Sequence, residues 1–225
     1  STYGGVYKST DSGITWEFES NLPNTPFLSI QFINTTHGYI AGWNGKIYKT
    51  LNGGQSWINI STTSNFRVEH VFFITPDTGW ISGGISNQNL DQAIYKTTNG
   101  GNTWNVQLNH VNQSDGVIYS ICVSIDLGFA SSSEGQIYKT TNGGNNWNIV
   151  YQTDPNLWSF YSNITILNSQ IIFATGATVQ AARAPRILIS TDQGLNWNSL
   201  QKEFNLDVIS GSYFFNQDEG LMCGY

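Results

Sequence analysis

The segment Ile94-Tyr95-Lys96-Thr97-Thr98-Asn99-Gly100-Gly101-Asn102-Thr103-Trp104 decides the fold, because the chain contains it five times. Val6–Trp16, Ile47–Trp57 and Ile137–Trp147 repeat it with few changes, and Ile187–Trp197 keeps its second half while reading Leu188-Ile189-Ser190 ahead of the turn. The closing tryptophans are 41, 47, 43 and 50 residues apart. Self-similarity at about 40 to 50 residues is the period of propeller blades.

Working outward from each copy, a third element lies upstream: His37–Gly42, Thr78–Gly83, Leu127–Ser132 and Glu219–Gly224. These pieces are short, rich in Ile, Val, Tyr, Phe, Trp and Thr, alternate apolar with polar residues, and are bounded by Gly, Asn and Asp. That combination signals strands and tight turns, and no segment sustains a helical period. Each repeat then supplies four antiparallel strands, about 28–34, 38–43, 46–51 and 56–61 in the first complete copy, and four strands per repeat make a blade.

The chain enters at the third strand of one repeat and leaves after the second strand of another. Wrapping from Trp197 through Tyr225 to Trp16 spans 28 plus 16, or 44, residues, an ordinary interval. The expected fold is therefore an all-β, five-bladed propeller of four-stranded antiparallel blades, its ring closed by a blade shared between the two termini. It forms one domain over 1–225, with blades at approximately 207–225 plus 1–19, 28–61, 67–108, 116–151 and 158–200. Closure is expected because an open ring leaves unpaired strand edges.

Inside the repeat, Asp or Asn stands at positions 11, 52, 99, 142 and 192, where a short polar side chain can accept backbone N–H groups of its own turn. Gly follows at 13, 54, 101, 144 and 194, the place for a left-handed backbone. The tryptophan is expected to pack on its own or the next blade. This Ser-x-Asp-x-Gly-x-Thr-Trp pattern resembles the Asp-box, or bacterial neuraminidase, repeat. Joined to Ile-Tyr-Lys, it is most similar to photosystem II stability and assembly factor-like proteins. The resemblance covers nearly the whole chain and implies a propeller whose role is binding or assembly, in bacterial relatives often within secreted or surface proteins. The photosynthetic members are understood as seven-bladed with an arginine-rich patch. This chain departs from them in its five boxes and its three arginines, so no photosystem role is expected.

Composition narrows the function. With 225 residues, 39% hydrophobic and 14% aromatic, the chain can bury one large core. Only 11% of residues are charged and the net charge is −6, with nine Lys and Arg in all, so no basic surface for nucleic acid is available. No apolar run reaches the roughly 18 to 20 residues of a membrane span. The low charge and abundant Asn fit an extracellular or cell-surface bacterial setting. Cys122 and Cys223 lack Cys or His neighbours at metal-ligand spacing, so no metal site and no cofactor are expected, and both cysteines read as small core residues, with a disulfide as the alternative.

Sialidases share the Asp-box, but their chemistry needs three clamping arginines, and here Arg183 and Arg186 fall in one loop. Glycoside hydrolysis needs two carboxylates about 5 to 10 Å apart. Asp11 and Asp192 are box residues, Asp77, Asp126 and Asp218 sit at equivalent turns, and Glu69, Asp91, Asp115, Glu134 and Asp154 remain with nothing to pair them. No catalytic residue is assigned. His37 reads as a turn residue, His70 as an inner-strand residue and His110 as a loop residue.

The loops between second and third strands, and those between blades, share one face. Trp43, Arg67, His110, Asp154, Trp158, Arg183, Arg186 and Tyr225 all fall in or beside such loops, and no box role explains them. Trp43 and Tyr225 hold matching positions. Trp, Tyr and Arg dominate binding hot spots, so this set is the expected binding surface. It differs from blade to blade, which favours a single protein partner. A carbohydrate-binding, lectin-like propeller or a glycoside hydrolase is the alternative.

Overall fold

The computed structural model describes residues 5–18, 22–62, 66–85, 92–110, 118–124, 126–154, 156–157, 159–178, 184–200 and 205–225. Four complete four-stranded meanders follow one another along the chain. Blade 1 is β3 (Phe27–Phe32), β4 (Gly38–Gly42), β5 (Ile47–Thr50) and β6 (Ile58–Asn59). Blade 2 is β7 (Phe66–Phe73), β8 (Gly79–Ile85), β9 (Gln92–Thr97) and β10 (Asn105–His110). Blade 3 is β11 (Ile118–Val123), β12 (Gly128–Ser132), β13 (Gln136–Thr140) and β14 (Asn148–Gln152). Blade 4 is β15 (Ser159–Ile166), β16 (Ile172–Thr178), β17 (Ala184–Ser190) and β18 (Asn198–Leu200). All pairing is antiparallel, and the first strands β3, β7, β11 and β15 contact one another in succession, which puts them innermost.

Two half-blades flank these: β1 (Tyr7–Lys8) with β2 (Glu17–Phe18), and β19 (Ile209–Phe214) with β20 (Gly220–Gly224). Among the described residues the shared blade expected at the termini is not seen assembled: β1 pairs with β2 and β20 with β19, as two separate two-stranded sheets. Cys223, expected in the core, is accordingly a free, exposed thiol on β20, a strand with no third strand beside it.

Alternation sends successive side chains to opposite faces of each blade, so the core is a series of blade-on-blade interfaces. Tyr39, Ala41 and Ile47 of blade 1 meet Val71, Phe73 and Ile81 of blade 2. Trp80 and Ile94 meet Ile121 and Tyr138, and Phe129 and Ile137 meet Tyr161 and Ile164. The box tryptophans pack on their own blade and on the preceding one: Trp57 and Trp104 lie edge-on to Phe32 and Phe73 of their own blades, and the Trp104 indole N–H is 3.4 Å from the Ile60 carbonyl of blade 1. Trp197 lies edge-on to Phe129 of the preceding blade.

The box turns are alike in all five copies. The hydroxyls of Ser9, Thr50, Thr97, Thr140 and Ser190 accept the N–H of Gly13, Gly54, Gly101, Gly144 and Gly194 at 2.7–2.9 Å. Each of these hydroxyls also donates to the carboxyl or amide oxygen of Asp11, Asn52, Asn99, Asn142 or Asp192. Those oxygens accept a further N–H four residues on, such as that of Thr103 at 2.9 Å. The glycines have φ between 75° and 85°, the left-handed region in which Gly costs least. Hydrogen bonds from Thr15 and Ser9 hold the Asp11 carboxyl down to about 2, and those from Asn196 lead in holding Asp192 there.

Between blades, lysines of the third strands act as staples. Lys8 donates to the Gly53 carbonyl at 3.0 Å, Lys49 to Gly100 at 2.8 Å and Lys96 to Gly143 at 2.6 Å, each a carbonyl in the next blade's box. The inner strands are stitched as well. The Gln31 amide accepts the Phe73 N–H at 2.6 Å and donates to its carbonyl at 3.1 Å, Ser29 accepts the Val71 N–H, and Asn163 donates to the Ser212 carbonyl.

Candidate functional site

A four-strand meander puts its first and third turns at one end and its second turn and exit at the other. The box turns therefore share a face with the β3–β4, β7–β8, β11–β12 and β15–β16 turns, and the second-to-third strand loops share the opposite face with the blade-to-blade connections. Near that opposite face every inner strand is interrupted by a bulge, at Leu28, Glu69, Tyr119, Ser162 and Ser210 in β3, β7, β11, β15 and β19. A bulge re-aims the side chain it carries. In four copies the bulge is accompanied by a close approach, where Gly42, Gly83, Gly176 and Gly224 lie against the carbonyls of Pro26, Arg67, Phe160 and Val208, which fill the space a Cβ would take.

The bulges of blades 2 and 3 help gather one cluster. Trp43, in the short turn Trp43–Gly45 after β4, is 41% exposed, and the Arg67 guanidinium lies 5.3 Å from its ring centroid. Arg67 Nε sits 2.6 Å from Glu69 Oε1; the Arg67 side chain is 37% exposed and that of Glu69 only 9%. Burial pushes the Glu69 carboxyl up, and the Arg67 charge works against that shift. Burial raises the Tyr119 phenol, the nearby Glu69 adds to the rise, and Arg67 opposes it. Tyr119 in turn meets Phe160 edge-on, ring centroids 6.0 Å apart. Trp43, Arg67, Glu69, Tyr119 and Phe160 thus run across blades 1 to 4 on one face.

The chemistry available there is recognition. An arginine held by an ion pair at Nε and by an aromatic face is fixed in orientation, while the rest of its fork remains accessible. Among the described residues no group of three His, Cys, Asp or Glu side chains could hold a metal ion. His70, next to Glu69, points away into the interface with blade 3. Its Nδ1 is shut off from solvent with no hydrogen-bond partner, and burial pulls the ring down to about 4, a hydrogen bond to the Ile121 backbone acting the other way.

Of the residues expected at the binding surface, Trp43 and Arg67 are brought together. Arg186 lies elsewhere, close enough to the buried Tyr161 phenol to oppose its upward shift. Asp154 is exposed in a turn, its carboxylate accepting the Asn156 N–H at 2.9 Å. Tyr225 is 69% exposed and exchanges backbone hydrogen bonds with Val208. Among the described residues, none of these three makes a hydrogen bond, ion pair or ring contact with Trp43, Arg67 or Glu69. His110 ends β10 opposite Gln92 rather than lying in a loop. Its side chain, with Trp158 and Arg183, falls outside the described residues. Tyr119 and Phe160 were missed by sequence reasoning, which had no signal for the bulge except that Tyr119 aligns with Leu28 and Glu69.

Comparison with known proteins agrees with this architecture. The profile of the Photosynthesis system II assembly factor YCF48 family matches residues 15–157, more than half of the chain. No curated protein matches. Among solved structures, an ancestral GH74 enzyme superposes with a TM-score of 0.72 at 21% identity, over 89% of this chain and 28% of that one. The GH74 xyloglucanase from Xanthomonas campestris gives 0.64 at 13% identity, over 85% of this chain and 34% of its own. YCF48 bound to D1 peptide gives 0.49 at 18% identity, over 87% and 89%. This chain spans about a third or less of either GH74 chain, and at these identities the likeness is one of fold. Profile, repeat and blade geometry together place the chain in the Photosynthesis system II assembly factor YCF48 family.

Proposed function

We propose that this chain is a non-catalytic binding module that docks a protein partner on the face where Trp43, Arg67, Glu69, Tyr119 and Phe160 meet. The observation that carries the reading is Arg67, clamped between the Trp43 ring and Glu69 yet still 37% exposed. Preorganised Arg and Trp side chains supply much of the energy in protein interfaces, because little entropy is left to lose. The family's description as an assembly factor supports a protein partner. So does the asymmetry of the cluster, whose residues differ in every blade.

The alternative occupant is carbohydrate. A groove of ≈ 500 Å³ between blades 1 and 2, lined by Asn59, Ser61, Asn102, Thr103 and Trp104 among others, offers amides, hydroxyls and an indole, the mixture that sugars use. One experiment separates the two. Peptides selected from a random display library against the wild-type chain are retested on Trp43→Ala and Arg67→Ala, and the chain is also applied to a glycan array. The protein reading expects each substitution to weaken selected peptides by about tenfold or more, equivalent to about 1.4 kcal/mol, with the array blank. Glycan binding that survives both substitutions would overturn it.

A further inference from the structure

The dipeptide Asn-Gly occurs four times in the chain, at 44–45, 52–53, 99–100 and 142–143. It carries a reaction of its own. The main-chain nitrogen of the glycine can attack the side-chain amide carbon of the asparagine, and a glycine, having no Cβ, shields that nitrogen least. Ring closure needs an asparagine able to rotate about its Cα–C bond and a glycine nitrogen able to leave its hydrogen bond. The fold treats the four copies unequally.

Three of them are locked at both ends. Oδ1 of Asn52, Asn99 and Asn142 accepts the hydroxyls of Thr50, Thr97 and Thr140 at 2.9–3.0 Å, and also the N–H groups of Ser56, Thr103 and Asn146 at 2.9–3.0 Å. The Nδ2 groups of Asn52 and Asn99, which would have to depart, donate to the hydroxyls of Ser56 and Thr103 at 2.9 Å. The attacking nitrogens are held as well: the N–H groups of Gly53, Gly100 and Gly143 each donate at 2.9 Å to the carbonyls of Thr36, Asp77 and Asp126.

Asn44 and Gly45 are placed differently. They are the central residues of a type I′ turn joining β4 to β5, with Asn44 at φ 57°, ψ 35° and Gly45 at φ 66°, closed by the Lys46 N–H on the Trp43 carbonyl at 3.2 Å. Asn44 is exposed, and among the described residues its side chain makes no hydrogen bond. Its left-handed backbone, shared among described non-glycine residues only with Ser12 and Gln193, is a conformation that L side chains disfavour, so rotation out of it is not opposed by intrinsic preference.

We propose that Asn44 is a site of spontaneous covalent modification, converting to aspartate and isoaspartate through a cyclic imide while the three box asparagines persist. The Gly45 nitrogen bonds to Asn44 Cγ and gives its proton to solvent. The Cγ–Nδ2 bond breaks, and Nδ2 takes up a proton and leaves as ammonia. Water then opens the ring. Cleavage between Cγ and the Gly45 nitrogen yields aspartate on the original main chain, and cleavage at the Asn44 main-chain carbonyl leaves the chain running through Cγ as isoaspartate. One water is consumed, one ammonia is released, and nothing is oxidised or reduced. Either product sets a carboxylate beside Trp43, whose ring carries Arg67 at 5.3 Å. Isoaspartate also adds a methylene to the main chain of a turn only two residues long.

The test incubates the full chain in warm, mildly alkaline buffer, native and in guanidinium chloride, and maps the amide-to-acid mass gain at each of the four asparagines by digestion and mass spectrometry. In the native chain Asn44 is expected to convert at least about tenfold faster than Asn52, Asn99 or Asn142, because each box must open before it reacts. In guanidinium chloride the four rates should converge. Thr97→Val, which removes the hydroxyl bond to Asn99, should speed Asn99 several-fold, and unchanged rates at Asn52 and Asn142 show that the variant is still folded. Equal native rates at the four sites overturn the proposal. So does an Asn44 that stays intact in the native chain over a time in which it converts in guanidinium chloride.

Discussion

At the residue scale, stability rests on polar groups that have one place to go. Thr97 both receives the Gly101 N–H and donates to Asn99, so Thr97→Val strands a buried amide and releases the asparagine. We expect a loss of about 1–3 kcal/mol in urea unfolding. Gly83 faces the Arg67 carbonyl at the bulge, and Gly83→Ala is expected to cost about 3 kcal/mol or more while displacing Arg67 from Trp43. A wild-type stability with Arg67-dependent binding intact would refute that link. His70 carries the pH dependence. Its folded value of about 4 lies below the ordinary 6.5, so the unfolded chain takes up a proton first as pH falls. Full stability is present above about pH 6.5, declines between 6.5 and 4, and is lower by about 3 kcal/mol below that window. Denaturant titrations of the wild type and His70→Asn across pH 4 to 7 measure this, and the variant should lack the decline.

At the scale of strands and turns, the staples and stitches join what repetition alone only juxtaposes. Lys96→Met removes the bond to Gly143 and is expected to cost about 1 kcal/mol. Gln31→Leu leaves both backbone groups of Phe73 without that partner and should cost more, about 1–3 kcal/mol, with faster amide exchange at Phe73 as its signature. The strands themselves were legible in the sequence, because period-two alternation and Gly-Asn punctuation are local properties. The fourth strand of blade 1 was read too long, 56–61 against Ile58–Asn59, since the box turn claims Trp57. The lysine of Ile-Tyr-Lys read only as a strand residue, because its carbonyl partner lies 45 to 51 residues away. The bulges were illegible for a similar reason: in blade 2 the bulge brings the carbonyl of Arg67 against Gly83 on the neighbouring strand, a contact between residues far apart in sequence. Hence Trp43 and Arg67 could be named from loop position, while Tyr119 and Phe160 could not.

At the scale of the whole molecule, apolar interfaces and neutral hydrogen bonds carry the fold, and Arg67–Glu69 is the single ion pair among the described residues. Because the Glu69 end of that pair is buried, salt should screen it less than a fully exposed pair. We expect Tm to move by less than about 2 °C between low and moderate NaCl, and a larger shift would point to long-range surface charge that this architecture does not display. The inter-blade bonds also have a direction. Apart from the indole of Trp104, which reaches back to Ile60, the side chains of Lys8, Gln31, Tyr39, Lys49, Lys96, Ser162 and Asn163 all reach from an earlier blade to backbone of the next. A chain leaving the ribosome N-terminus first therefore presents each finished blade with its hooks already set, and every newly made blade arrives bringing the eyes.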